Sequence, residues 1–144
     1  MMPQAEQYPF VAMDPALGAA SLLPYLPITL TFRGQSVSAM GLLDTAATVN
    51  VLPYDLGRQL GAVWDEQTTS VQLTGNLAQQ EARVLVVSGS VGRFAPVRLA
   101  FAWTKSNAVP VLLGQVHFFM EFDVCLFRSQ CLFEVRPKQA QATA

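Results

Sequence analysis

A lone carboxylate at the end of an apolar strand constrains this chain more than any other feature. Gly41-Leu42-Leu43 runs into Asp44, and Asp44 is followed at once by a hydroxyl and two very small residues, Thr45-Ala46-Ala47, before Thr48. A carboxylate is costly to bury without partners. The chain must therefore turn at Asp44 and leave it in water, or hold it for a purpose. A turn-starting Asp with a Thr hydroxyl to satisfy the backbone is the plainer reading. What the rest of the chain supplies decides between the two.

The chain has 144 residues, 51% of them hydrophobic and only 13% charged. That length fits one domain with a real core, and that composition argues against disorder. So little charge beside so much apolar content also predicts surface that a partner covers. The net charge is −1, with no basic cluster, which argues against nucleic acid or an anionic membrane as partner. Pro24, Pro27, Arg33, Asp44 and others interrupt every apolar run before it reaches the length of a membrane span. No basic segment precedes an apolar core at the N-terminus, so no secretory signal is expected.

Cys125 and Cys131 flank a turn at Arg128-Ser129. That spacing puts them on neighbouring strands but not opposite each other, a poor geometry for a disulfide. Reduced thiols in a cytoplasmic protein are the expectation. The single histidine, His117, lies among Val116, Phe118 and Phe119 and reads as a packed or partly exposed helix residue. With one His and no Cys-x-x-Cys pair there is no metal-ligand spacing, and no Gly-rich phosphate loop appears. No metal and no cofactor are expected.

Residues 1–23, broken by Pro3, Pro9, Pro15 and Gly18, read as an irregular N-terminal arm, with Tyr8-Pro9-Phe10-Val11 apolar enough to dock on the body or on a second subunit. Residues 24–137 form the domain, and 138–144 a flexible tail that frays. From Ile28 the period is two, with Ile28, Leu30 and Phe32 on one face and Thr29, Thr31 and Arg33 on the other. Gly34-Gln35 closes a hairpin, and residues 36–43 return as the strand that delivers Asp44. Residues 53–60 predict a short helix with Pro53 in its first turn and Gly61 at its end. Val71-Gln72-Leu73, Thr74-Gly75-Asn76-Leu77 and residues 81–87 read as a hairpin with Gly and Asn at positive φ on its tip. Ser88-Gly89 and Gly92 punctuate further strands, 97–103 among them. Leu113-Gly114 opens a helical turn through Phe119, and residues 122–127 and 130–135 make a last hairpin. Many short strands with regular turn signals predict an all-β, barrel-like domain.

The heptapeptide Leu42-Leu43-Asp44-Thr45-Ala46-Ala47-Thr48 closely resembles the active-site loop of the aspartic proteases, two hydrophobic residues and then Asp-Thr/Ser-Gly-Ala/Ser. Residues 28–35 resemble the strand and turn before the catalytic strand of the single-domain, retropepsin-like (retroviral-type) branch and its prokaryotic relatives. Val109-Pro110-Val111-Leu112-Leu113-Gly114-Gln115 resembles that branch's second signature, an apolar run closed by Leu-Gly and then a short helix. The two blocks lie about 70 residues apart, as a single lobe requires, and the likeness covers roughly residues 27–135. It implies a closed β-barrel, one half of an acid protease, with a flap hairpin, one short helix and a two-fold homodimer.

Hydrolysis by carboxylates needs two of them, one ionised to take a proton from water and one protonated to polarise the carbonyl. Held about 3 Å apart, two aspartates share one proton, because both cannot ionise cheaply. The chain has only one Asp-Thr-small loop. Asp14, Asp55, Asp65 and Asp123 lack the Thr-Ala-Ala that follows Asp44, so a dyad must come from two copies of Asp44 across a two-fold axis. The resemblance gives Thr45 the role of reaching across that axis to the partner's backbone; a local hydroxyl-to-backbone bond is the alternative. It makes the residue 71–84 hairpin the flap, whose Thr74, Gly75 and Asn76 would bind an extended substrate while Leu77 meets its side chains.

Two departures from the family pattern stand out. Ala46 replaces a near-invariant Gly, adding a methyl where the backbone approaches carboxylates and substrate. Gln115 replaces the Arg that braces the dimer region in many viral relatives. The sequence thus predicts a homodimeric aspartic endopeptidase for extended apolar peptides, using Asp44, with Thr45, Ala46 and Ala47 as loop and dimer brace. The alternative is a weak or inactive peptide-binding or dimerisation module on the same fold. Tyr8 to Val11 and an apolar stripe of Phe122, Val124 and Leu126 are the predicted partner contacts.

Overall fold

The computed structural model describes residues 4–139. In chain order its elements are β1 (Glu6–Pro9), β2 (Val11–Ala12), β3 (Leu22–Leu23), β4 (Tyr25–Phe32), β5 (Gln35–Leu43), β6 (Asn50–Leu52), α1 (Tyr54–Gln59), β7 (Ala82–Ser90), β8 (Val97–Thr104), β9 (Val111–Leu113), α2 (Phe118–Glu121), β10 (Phe122–Phe127) and β11 (Leu132–Pro137). Six strands close a barrel in the order β4-β5-β9-β6-β8-β7, while β1-β11-β10 form a separate three-stranded sheet and β2-β3 a small ribbon. The all-β barrel follows the sequence expectation. There are two short α-helices, α1 and α2, where the family likeness implied one.

The period of two does in β4 what it predicts: Leu26, Ile28 and Leu30 are buried while the residues between them face outward. The strand starts at Tyr25, ahead of the alternation, because Tyr25 and Leu26 still pair with Leu42 and Gly41. Arg33 and Gly34 make the two-residue turn, both at positive φ, so the hairpin closes one residue earlier than Gly34-Gln35. Such a turn matches the twist of its flanking strands. β7 does not break at Ser88-Gly89; Gly89 pairs with Leu30 on one side and Val97 on the other. The main core gathers Phe101, Trp103, Phe118, Phe122 and Phe133 with the barrel leucines. Trp103 stacks on Tyr54 and donates its indole N–H to the Tyr54 carbonyl, which ties α1 to β8.

The arm that reads as irregular is largely ordered. β1 pairs with β11 from Glu6↔Val135 to Pro9↔Leu132. Pro9 is tolerated because β1 is an edge strand, where a missing N–H breaks no ladder. Pro15 opens a 3-10 turn, Pro15–Ser21, whose Asp14 carboxylate accepts the Ala16 N–H. Tyr8 stacks on Phe133 and donates to Glu6; burial and then that carboxylate push its phenol well above the usual range.

The apolar stripe of the last hairpin is mostly spent inside the chain. Phe122 is buried and Val124 packs partly on the core, leaving only Leu126 exposed. Cys125 faces Glu134 across the hairpin and Cys131 caps the turn in left-handed backbone, so both thiols are free. The predicted tail begins with an anchored residue, since Lys138 bonds Glu121 through its N–H and its ammonium; residues 140–144, like 1–3, lie outside the described residues. Among the described residues no helix is long and apolar enough to cross a membrane.

Candidate active site

Asp44 leaves the barrel at the end of β5 with its backbone still clamped on both sides. Leu43 N–H donates to the Pro24 carbonyl at 3.1 Å, and Asp44 N–H donates to the Leu113 carbonyl at 3.0 Å. β9 runs parallel to β5 here, Leu43 opposite Leu113. The chain then turns tightly. Ala47 N–H donates to the Asp44 carbonyl at 3.1 Å, and Ala46 N–H donates to Asp44 Oδ1 at 3.0 Å. The plain turn reading therefore describes the local geometry correctly, but it accounts for one oxygen only. Among the described residues Oδ2 has no protein partner, no cation pairs with Asp44, and the side chain is half-buried at the loop.

The second sequence block is what holds that loop. At Gly114 a Cβ would lie 2.6 Å from the Val49 carbonyl oxygen and 2.7 Å from that of Ala47; contacts this close to backbone exclude any side chain. Just beyond it, Gln115 N–H donates to the Ala47 carbonyl at 2.9 Å and Val116 N–H to the Thr48 carbonyl at 2.8 Å. The Gln115 side chain reaches back, its Nε2 donating to the Thr45 carbonyl at 2.7 Å. The neutral amide at the position of the viral Arg thus braces the loop of its own chain.

Asn50 is the residue the sequence analysis missed. It is fully buried, with Oδ1 accepting the Gly114 N–H at 2.8 Å and Nδ2 donating to the Ala100 carbonyl at 3.0 Å. One amide thereby joins β6, β8 and the exit of β9. The available signal was a polar residue inside the apolar run Val49-Asn50-Val51-Leu52, because a buried amide demands partners for both its ends. His117 plays a lesser part, its Nδ1 accepting the Ala100 N–H at 3.1 Å. Among the described residues no His, Cys, Asp and Glu gather in the numbers a metal ion requires.

The predicted sites divide between two segments. Asp44, Thr45, Ala46 and Ala47 lie together in the loop, Thr45 and Ala46 exposed, and no group among the described residues bonds the Thr45 hydroxyl. Thr74, Gly75, Asn76 and Leu77 lie in the loop that joins two antiparallel arms, residues 69–71 and the start of β7, but not as a tight tip with Gly and Asn both at positive φ. The ladder there is one bridge, Ser70↔Arg83, with bonds from Val71 N–H to Ala82 and from Val84 N–H to Thr69. Gly75–Leu77 is a 3-10 turn; Gly75 has positive φ and Asn76 does not. Leu77, half-buried, packs against a second small core of Val51, Leu73, Ala82, Ala102 and Val109, because covering part of it with those groups outweighs a fully exposed position in water. A cavity of about 50 Å³ separates this segment from the loop residues Ala47, Thr48 and Val49.

The comparisons with known proteins bear on the fold and the family. No curated protein sequence matches the chain. The crystal structure of a retropepsin-like aspartic protease from Rickettsia conorii matches with a TM-score of 0.61 at 12% identity, covering 94% of either chain. At so low an identity that likeness concerns the fold, which is retropepsin-like. The aspartyl protease family model matches residues 28–116, from the first barrel strand through the Asp44 loop to the Leu-Gly block that braces it. The chain belongs to the aspartyl protease family.

Proposed function

We propose that the protein is an aspartic endopeptidase that cuts extended, apolar peptide segments with a water held between two Asp44 carboxylates, one from each of two copies of the chain. One carboxylate, ionised, takes the proton from water; the other, protonated, polarises the scissile carbonyl. The observation that carries this reading is the Asp44 loop itself. Its backbone is fixed by bonds from β3–β4 and from both sides of Gly114, while one carboxylate oxygen is left uncommitted. The exposed Thr45 hydroxyl is available to a partner's backbone, and exposed Val116 and Met120 follow directly on the bracing segment, where a second copy would cover them. Two free thiols suit a reducing compartment such as the cytoplasm.

Asp44→Asn tests the reading. Two amides cannot supply an ionised and a protonated carboxyl, so turnover on a mixed peptide library should fall by at least about 10³-fold while the protein stays folded. Turnover within about tenfold of the parent would remove Asp44 from the chemistry. The peptide-binding alternative predicts instead that peptides bind equally well before and after the substitution and that neither protein cleaves them. Dilution should lower specific activity, and a sedimenting monomer with constant specific activity would defeat the shared site.

A further inference from the structure

Side chains take both backbone groups of Ala100, which stands on β8 just before the ladder with β6 begins at Phe101. The Ala100 carbonyl accepts Asn50 Nδ2, and the Ala100 N–H donates to His117 Nδ1 at 3.1 Å. Asn50 Oδ1 in turn accepts the Gly114 N–H. Residues 114–117 are therefore suspended between two supports. On one side Gln115 and Val116 donate to the Ala47 and Thr48 carbonyls of the Asp44 loop. On the other, Asn50 and His117 tie the segment to Ala100.

His117 is the strained member of that segment. Its backbone lies at φ 76° and ψ −62°, a γ-turn geometry that is rare and strained. Such a conformation persists only where its surroundings over-determine it. The bond from Ala100 to the imidazole is one constraint, and the Phe119 N–H, which donates to the Gly114 carbonyl, is another. To accept an N–H, Nδ1 needs its lone pair, so the imidazole is neutral with its proton on Nε2. An imidazolium carries N–H on both nitrogens and has no acceptor to offer. We propose that His117 is a positioning residue for the Asp44 carboxylate. While neutral, it pins the strained turn to Ala100 and so keeps residues 114–116, and the loop they brace, in the geometry that cleavage needs. Protonation removes the pin and lets the brace shift.

Charged groups on the surrounding elements are few. Arg98 lies on β8 two residues before Ala100, and Glu121 lies on α2 and pairs with the Lys138 ammonium at 3.2 Å. The braced loop carries Asp44, and β6 and β9 carry no charge. Among the described residues the imidazole's own bond is to Ala100, so its proton decides whether the pin is in place. The kinetic consequence rests on the endopeptidase reading above; the pin is read separately, from amide exchange.

Two substitutions separate the acceptor from the backbone. His117→Asn keeps an acceptor oxygen near the place of Nδ1, does not titrate and tolerates positive φ. His117→Gly relieves the strain but has no acceptor. At neutral pH, on a peptide the parent cleaves, His117→Gly should lower kcat by at least about tenfold with KM nearly kept. It should also strip amide-exchange protection from Ala100, Gln115 and Val116, and His117→Asn should restore both. On acidification through the range where histidine gains its proton, the ratio of kcat in His117→Asn to kcat in the parent should climb towards about tenfold. That ratio cancels the titration of the Asp44 pair, because only the parent loses its pin.

Parental kcat and protection in His117→Gly, or a ratio that stays flat with pH, overturns the proposal. If His117→Gly does not fold, the His117→Asn ratio decides. Gln72→Met is the exchange control, since Gln72 Nε2 donates to the Leu73 and Ala78 carbonyls, each at 3.1 Å, on the other side of the small cavity. If Val116 loses protection there as well, the effect is not His117's own and the proposal falls. A parent that neither cleaves peptides nor binds a statine-type inhibitor overturns the endopeptidase reading alone. Exchange then decides the pin: protection of Gln115 and Val116 that is lost on acidification in the parent but kept in His117→Asn supports it, and equal protection overturns it.

Discussion

The Asp44 loop and residues 72–80 face each other across one small cavity, yet they are held in opposite ways. The Asp44 loop is fixed from outside, by Leu113, Gln115 and Val116, which lie far along the chain, with Gly114 pressed against its carbonyls. Residues 72–80 bond chiefly to themselves and reach the body through two leucine side chains. Directional bonds between distant segments hold an atom in place; burial of apolar surface is non-directional and can be exchanged for another apolar group. One wall of the cavity is thus built to stay and the other to yield.

Glycines in the two walls give the largest contrast. Gly114→Ala forces a methyl against two backbone carbonyls, so the loop or the exit of β9 must shift. A loss of about 1–3 kcal/mol is expected, with a steep fall in kcat because the carboxylate moves too. Gly75→Ala meets nothing within 4 Å and carries only the strain of its positive φ, about 1–2 kcal/mol, with kcat nearly unchanged. Urea unfolding together with steady-state kinetics on both variants checks this. Equal effects on kcat would erase the distinction between fixed and yielding walls.

Asn50 and Gln72 sharpen it. Asn50→Ala leaves the buried Gly114 N–H without its acceptor and removes a side-chain bond to the half-buried Ala100 carbonyl, costing about 1–3 kcal/mol and loosening the Asp44 loop. Gln72 is exposed to water, which can replace its bonds, so Gln72→Met should cost less than about 1 kcal/mol. Amide hydrogen exchange should then show faster opening around Gly114 in the first variant and around residues 74–80 in the second. Faster exchange at the Asp44 loop in the Gln72 variant would mean the two walls move as one.

The same contrast separates what the sequence made legible from what it hid. β4, its hairpin partner β5 and the Asp44 turn were readable because alternation and turn chemistry are local. The Leu-Gly block was readable as a motif, although its purpose, a backbone approach that no side chain permits, needs coordinates. Asn50 was hidden because its partners, Gly114 and Ala100, are remote in sequence. The 74–77 loop joins two antiparallel arms as read, but its 3-10 form was hidden because Gly75-Asn76 signals a tight tip in any hairpin. What decided the outcome was tertiary, namely Leu77 finding apolar neighbours and Gln72 closing the loop. β1 was missed for a related reason: an edge strand of Glu-Gln-Tyr-Pro has no period of its own and exists by pairing with β11.

Ala46 tests the fixed wall with the smallest change. Its N–H orients Asp44 Oδ1, a bond any residue can make, and its φ is not positive, so alanine sits there without strain. Ala46→Gly should therefore keep the fold and the bond to Asp44 while losing about 0.4–1 kcal/mol, because glycine adds freedom to the unfolded chain. On the endopeptidase reading, water and substrate approach Asp44 past this exposed residue, so removing its methyl is expected to raise turnover. A stability loss in that range with faster cleavage would identify Ala46 as a brake on the chemistry. The same loss with turnover unchanged would make the methyl a neutral substitution.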